Sequence, residues 1–548
     1  MTTSLVRAAS GLLALLAISA CISAPPSILD ESLNLIRVDA IRGHVRWLAD
    51  DKRAGRMPGE AGYDASAQYV AGQFAQMGLE PAGTAGWYQD VPLRTYKAIG
   101  DSAQFIIHAA DGDLAFTYRD DFAVTADPVE ASTRVRAEVV YVGFGVHAPE
   151  LGYSDYAGID VNGKIIAGFS GAPAHFEGVR RAYYSSSRNK RREAVARGAV
   201  GTITLRSRTA EQRSPWDEMK TRIGARPLMT WVNEAGEAAR YFPSLRGSVS
   251  LSPATAEALL TDTPLSYEET LTAMEAGDVR STPLGIDVTI ARQTEHNETS
   301  SPNVIGLVRG SDPELADEYV VYTAHLDHLG ARDVGGVRKI YNGAYDNAVG
   351  VALMLETARV FAARPPKRSV LFIALTGEEH GLLGSDYFVN NPVVPVESIV
   401  ANINLDMPLF LYPVADLVSF GAESTSIQPM AAAAAAAEGF VFSPDPLPEE
   451  TRFVRSDQYS FVRAGIPAVY LTPGFRSTDS KIDGESRYRA FLSRHYHEAS
   501  DNLDRTFHWD SAVRFARAHA RIGYAVANDI DRPAWNTGSF LAERFATP

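Results

Sequence analysis

The sequence predicts an α/β protein: a mainly parallel, twisted sheet flanked by helices, with a β-rich insertion in its first half. Three observations carry this. From Leu284 onward strand-like runs alternate with helical runs, which implies βαβ units. The runs YVVYTAH, SVLFIALTG and SIVANINLDM are continuously apolar, as suits strands covered on both faces. Between about Pro128 and Arg280 the pattern changes to short strand-like runs separated by Gly/Pro/Asp-rich loops.

A chain of 548 residues exceeds one ordinary core, so two or three domains are expected. The formal charge of -14 leaves no basic excess to neutralise phosphates, which argues against nucleic acid as a partner. Residues 1–20 read as a secretory signal: one positive charge in MTTSLVR, an apolar GLLALLAIS, then small residues. That apolar run is too short to span a bilayer comfortably. Cys21 is the only cysteine of the chain and follows Ile18-Ser19-Ala20, a pattern similar to a bacterial lipobox. The expectation is an exported, lipid-anchored protein, periplasmic or outer-membrane associated, with Cys21 as its lipidated mature N-terminus and no other membrane contact.

Residues 21–30 form a Pro-containing tether. The stretch 31–127 opens with two helical runs, LDESLNLIRVDAIRGHVRWLAD and YDASAQYVAGQFAQMGL, with Gly78 placed to stop the second. Short strands such as AQFIIHA and LAFTY follow. The insertion, 128–280, carries RAEVVYVGFGV, GIDVNGKIIAGF and NKRREAVARGAVGTITL, the last a helix running through glycine into a strand. Its basic cluster, Arg188, Lys190, Arg191 and Arg192, is read as the wet face of that helix. The segment 281–548 supplies the strands IDVTIA, SPNVIGLVRG and GIPAVYLTP besides those above. Its helices are NAVGVALMLETARVFAA, SIQPMAAAAAAAEG and SAVRFARAHARIGYAVANDI; the alanine run is taken as a closely packed helix.

The chemistry-bearing residues cluster in this last segment. His325 closes YVVYTAH, Glu378 and Glu379 follow SVLFIALTG, and Asp406 closes SIVANINLD. The carboxyl ends of strands in open α/β sheets form the ligand crevice. Asp346 is expected to begin a helix after Gly343-Ala344-Tyr345, and His497 to lie in a late loop. Two imidazoles and three carboxylates suit a pair of borderline divalent ions. One carboxylate can bridge, leaving each ion one histidine and one terminal carboxylate. Glu378, beside a proposed ligand, is free to handle a proton. Asp327 is cast as the carboxylate that holds the His325 imidazole in its metal-binding tautomer. His328 receives no role, and His380 is read as structural.

The stretches AHLDHLG, NGAYDNAVGVALMLETAR, ALTGEEHGLLGS, INLDM, RSDQYSFVRAGIPAVYL and HYHEASDNLD together resemble the M28 metallopeptidases. The likeness covers roughly 285–530, and 42–80 through LADDKRAGRMPGEAGYDASAQYVAGQFAQMGL. GYSDYAGIDVNGKI and REAVARGAVGTI resemble a protease-associated (PA) domain. The resemblance implies a phosphorylase/hydrolase-like sheet of the zinc aminopeptidase type, with two zinc ions per subunit. Asp346 would bridge them, His325, Glu379, Asp406 and His497 would be terminal ligands, Glu378 the general base and Tyr496 an oxyanion donor. Family members often carry Thr-Pro after the last histidine; here Glu498-Ala499-Ser500 follows, which bears on loop shape. Cobalt or manganese would fit similar ligands.

The expected activity is removal of N-terminal residues from peptides. Three other readings compete. A carboxypeptidase of the same superfamily, including glutamate-releasing types, would need an arginine such as Arg452, Arg455 or one from the insertion in the pocket. A glutaminyl cyclase would use one zinc. A non-catalytic receptor would have no need of the ligands and Glu378.

Overall fold

The computed structural model describes residues 28–546; the signal segment, Cys21 and the first part of the tether lie outside the described residues. The fold is α/β, with a large sheet flanked by helices. At the centre four strands run parallel in the order Ser369–Leu375, Tyr319–His325, Ile399–Asn404 and Ala468–Pro473. Antiparallel strands flank them. Thr282–Val308 lies beside Ser369–Leu375, followed outward by Tyr88–Ala98 and Leu228–Trp231. Asp416–Phe420 lies on the other side of Ala468–Pro473.

The apolar runs are parallel central strands because both of their faces are covered. In Tyr319–His325, Val320, Tyr322 and Ala324 enter one core and Val321 the opposite one. In the next strand Val370, Phe372 and Ala374 face the first core, and Leu371, Ile373 and Leu375 the second. Side chains alternate between faces with period two, so a strand buried on both sides must be apolar throughout. Each such Val, Leu, Ile or Phe contributes about 1.5–3 kcal/mol relative to exposure.

The first core is roofed by helices Val38–Leu48, Ala61–Met77, Val349–Ala363 and Trp509–Asn528. Val349–Ala363 is buried almost all round because it lies between the sheet and other helices. Gly78 ends Ala61–Met77 in the left-handed region at φ 83°, the conformation that favours glycine at a helix stop. Helices Leu383–Asn390 and Gln458–Arg463 place Phe388 and Phe461 in the second core. The alanine run forms helix Gln428–Ala437 and packs on Trp509–Asn528.

Two features differ from the sequence reading. IDVTIA and SPNVIGLVRG are parts of one strand of 27 residues, Thr282–Val308. No glycine or proline stands between Ala291 and Ser301 to interrupt it. Its first half pairs with Ser132–Tyr141 and Gln104–Ala109 in a second group of strands; from Thr294 it pairs with Tyr88–Ala98. One strand thus ties the two β layers together. In the second layer Ser132–Tyr141, Ile165–Phe169, Gly201–Leu205 and Gly247–Leu251 run parallel.

The basic cluster is the other difference. Helix Ser187–Ala196 exposes only Arg192 of its four cations. Lys190 turns inward and donates to the carbonyls of Phe169 and Gly171, and Arg188 reaches Asp386 in helix Leu383–Asn390. No described helix is long and apolar enough to cross a membrane.

Candidate metal centre

The carboxyl ends of the parallel strands bring the predicted residues together. His325 is the last residue of its strand and fully buried. Its Nε2 lies 3.2 Å from Asp346 Oδ1 and 3.2 Å from Asp406 Oδ1. The other oxygen, Asp346 Oδ2, faces His497 Nε2 at 3.3 Å, and Glu379 Oε2 lies 2.9 Å from the same nitrogen. The two oxygens of Asp346 therefore face two separate groups of donors. A carboxylate so placed is geometrically a bridge.

Asp346 does not begin a helix. It lies in an irregular turn, with φ -115° and ψ 87°, and the regular helix starts at Val349. Gly343 makes this turn possible. Its φ is 57°, and an added Cβ would stand 2.0 Å from the Asp346 carbonyl oxygen and 2.6 Å from the His328 ring. Asn347 holds the far side, its amide nitrogen donating to the Leu405 carbonyl and its amide oxygen accepting from the Met407 N–H. That linkage ties the Asp346 turn to the segment carrying Asp406.

Asp327 differs from its expected role. Its carboxylate is 3.9 Å from His325 Nδ1, whereas its own backbone carbonyl is at 3.2 Å and orients the ring. The carboxylate instead accepts the N–H groups of Glu378 and Glu379, at 3.1 and 3.3 Å. It thereby fixes the turn that presents both glutamates. Complete burial pushes the Asp327 carboxyl up to about 7.

His328 enters the site without a sequence signal to announce it. Its Nδ1 lies 2.6 Å from Glu379 Oε1, and 4.0 Å from Asp346 Oδ2. The contact is not aligned as a hydrogen bond. Both ring nitrogens and Glu379 Oε1 are buried with no hydrogen-bond partner. Buried polar groups are ordinarily satisfied, and a cation would satisfy these. His325, Asp346 and Asp406 form one set of donors close enough to share an ion; His328, Asp346 and Glu379 form another. Burying Asp346, Glu378, Glu379 and Asp406 together is costly unless positive charge balances them. The donor set, nitrogen plus carboxylate oxygen, fits zinc.

Glu378 borders a cavity of about 390 Å³, with Asp346, Asp406 and Tyr496 also in its wall. Burial raises the Glu378 carboxyl well above its ordinary range, with Asp406, Glu379 and Asp457 adding to the rise against the opposing charge of His325. Tyr496 stacks on His497, ring centroids 3.8 Å apart, and its Oη accepts a hydrogen bond of 3.1 Å from Arg455. Burial raises the phenol far above 10, so it stays protonated, and with Arg455 donating, its own O–H remains free for another acceptor. Arg213 from the inserted segment, Arg452, Arg455 and Arg489 line the same cavity.

Two fully buried residues hold the metal loops, and neither stood out in the sequence. Asp501 accepts the N–H groups of Tyr345 and Asp346, each at 3.0 Å, and so joins the His497 loop to the Asp346 turn. Arg56 donates to four carbonyls: Leu326 (2.7 Å), Leu48 (2.8 Å), Asn342 (2.6 Å) and Gly343 (3.1 Å). It thereby spans the loops after His325 and before Asp346. Arg56→Leu leaves these carbonyls buried and unmatched, at about 1–3 kcal/mol for each group that stays unsatisfied. The expected result is a loss of about 3 kcal/mol or more in denaturant unfolding, together with weaker metal retention.

The arrangement forms a candidate metal centre at the carboxyl ends of the strands of an open α/β sheet. Residues 303–522 match the model of peptidase family M28. The family likeness is thus carried by this segment, less than half of the chain. Aminopeptidase YwaD of Bacillus subtilis is 34% identical over 123 residues, 22% of this chain and 24% of that protein. A "Probable zinc metalloprotease" of Pyrenophora teres f. teres is 36% identical over 104 residues, 19% of this chain and 22% of that protein. The matched stretch thus spans less than a quarter of these relatives' own length. Among solved structures, an aminopeptidase from Aneurinibacillus sp. strain AM-1 superposes with a TM-score of 0.52 at 19% identity, covering 93% of this chain and 100% of that one. That likeness supports the fold.

Proposed function

We propose that the protein is an exported zinc aminopeptidase that removes N-terminal residues from peptides with two zinc ions per subunit. The observation that carries this is Asp346, whose two oxygens face His325 with Asp406 on one side and His497 with Glu379 on the other. When bound, two such ions supply a polarised scissile carbonyl and water of lowered pKa. His325 and Asp406 would hold one, His497 and Glu379 the other, with His328 within reach of the second. Glu378 takes the proton of the attacking water and passes it to the leaving amine. Tyr496 donates its free O–H to the oxyanion that develops on the carbonyl.

The inserted segment is proposed to be a PA-type unit that completes the cavity wall through Arg213. Export and lipidation at Cys21 rest on the N-terminal sequence pattern alone.

A second reading, a carboxypeptidase, is favoured by one observation: Arg213, Arg452, Arg455 and Arg489 reach the cavity. A guanidinium lining the cavity can donate to a substrate carboxylate. Matched peptides with free or acetylated N-termini, incubated with zinc and the protein, decide between the readings. Release of the first residue from the free peptides only is the expected outcome. Release of the last residue from both forms would establish the carboxypeptidase instead.

A further inference from the structure

One stretch of the inserted segment, residues 206–222, reaches the loop that carries Tyr496 and His497. The stretch is itself anchored. Trp216 is buried and its Nε1 donates to the Asp120 carbonyl at 2.7 Å, while Arg206 Nε donates to Glu211 Oε2 at 2.7 Å. Two of its guanidiniums meet carboxylates of the peptidase layer. Arg222 Nη2 donates to Glu498 Oε1 at 2.9 Å. Arg213 Nη2 lies 3.1 Å from Glu450 Oε1.

The contact at Glu450 is the first link of a chain. Glu450 Oε2 accepts from Arg455 Nη1 at 3.2 Å, and the Glu450 carbonyl accepts from the same nitrogen at 3.3 Å. Arg455 Nη2 then donates to Tyr496 Oη at 3.1 Å. A guanidinium is a planar fork, so fixing one terminal nitrogen aims the other. With that donor held on its oxygen, the phenol sends its own hydrogen elsewhere, and linked hydrogen bonds polarise one another. Arg213, Glu450, Arg455 and Tyr496 all line the cavity beside Glu378.

The loop needs such support. His497 stands at φ 59°, in the left-handed region that a non-glycine residue keeps only where its surroundings impose it. Glu498, the next residue, is where the sequence departs from the Thr-Pro frequent in similar proteins, and it is the residue that Arg222 holds. The Arg213 and Arg222 side chains are 55% and 59% exposed, and exposed ion pairs add little to overall stability. Their effect falls on where the loop sits rather than on whether the chain folds.

We propose that Arg213 and Arg222 are positioning residues that clamp the catalytic loop, Arg222 through Glu498 beside His497, and Arg213 through Glu450 and Arg455 onto Tyr496. The inserted segment thereby aims the oxyanion donor. This inference rests on Tyr496 in that role and holds whichever end of the peptide is cleaved.

Steady-state kinetics of the zinc-loaded whole chain, on a peptide that the wild type cleaves, test the clamp. Glu450→Gln and Arg213→Met should each lower kcat by about 10-fold, within the loss that a small misplacement causes, with KM and melting temperature close to wild type. Tyr496→Phe should lower kcat by about 10²–10³-fold, as for a lost oxyanion donor. In that background the other two substitutions should cost nothing more, because the group they aim is gone. Arg222→Glu should also slow turnover, and adding Glu498→Arg should restore most of it. Suppose Tyr496→Phe is slow, yet Glu450→Gln and Arg213→Met lower kcat equally in both backgrounds or in neither, or the charge swap restores nothing. The inference then fails while the proposed function stands. Tyr496→Phe turning over as fast as the wild type would remove the oxyanion role and the inference with it.

Discussion

Glu378→Gln is expected to lower kcat by about 10²–10⁴-fold, the usual contribution of a positioned general base, while the bound metal stays. The amide keeps the shape of the side chain and the backbone N–H that Asp327 holds, but it cannot take a proton. Metal analysis of the purified variant alongside its turnover separates loss of the base from loss of the site. Near-native turnover would remove Glu378 from that role. The same residue sets a sign for pH. Burial, with Asp406 and Glu379 adding to it, raises the carboxyl, so its ionised, proton-accepting form is lost as pH falls through that raised value. The acid limb of the wild-type profile should then lie above the ordinary glutamate range of about 4.3, and Glu378→Gln should flatten it.

Asp346→Ala is expected to be at least as damaging, for a different reason. Without Asp346 the first group keeps His325 and Asp406, and the second keeps Glu379 and His497 with His328 nearby. A catalytic zinc ordinarily takes three protein ligands, and the bridge would have served both ions. Metal content should fall below two ions per chain, and turnover should fall with it. Asp346→Asn, which keeps one oxygen and the side-chain volume, is expected to hold more metal than the alanine variant. If Asp346→Ala retained two ions, the bridging role would be wrong.

The convergence of His325, Asp346, Glu379, Asp406 and His497 was legible in the sequence because each sits at a chain position with a readable signature. His325 and Asp406 end apolar strands, the Glu378–Glu379 pair follows another, and these ends converge in any open α/β sheet. Burial on both faces made the strands themselves legible. What could not be read was contact through the backbone. Arg56 acts on four carbonyls from distant loops, and Asp501 on two N–H groups; no spacing of residue types records such bonds. Asp327 shows the same limit, since its backbone carbonyl meets the His325 ring while its carboxylate accepts the N–H of Glu378. His328, three residues after His325, was indistinguishable from a packing residue until Glu379 was placed against it. The basic run around Arg188 read as a solvated helix face because its partner, Asp386, lies 198 residues away. The single strand across both layers was hidden for a simpler reason. A polar stretch between two apolar runs looks like a connection, although nothing in it breaks a strand.

The most direct test of the account is zinc titration of the chelator-treated protein, following turnover of a peptide with a free N-terminus. Negligible turnover is expected without metal, with activity climbing until two equivalents of zinc are bound per chain. Full activity at one equivalent, or activity that survives complete removal of metal, would contradict it.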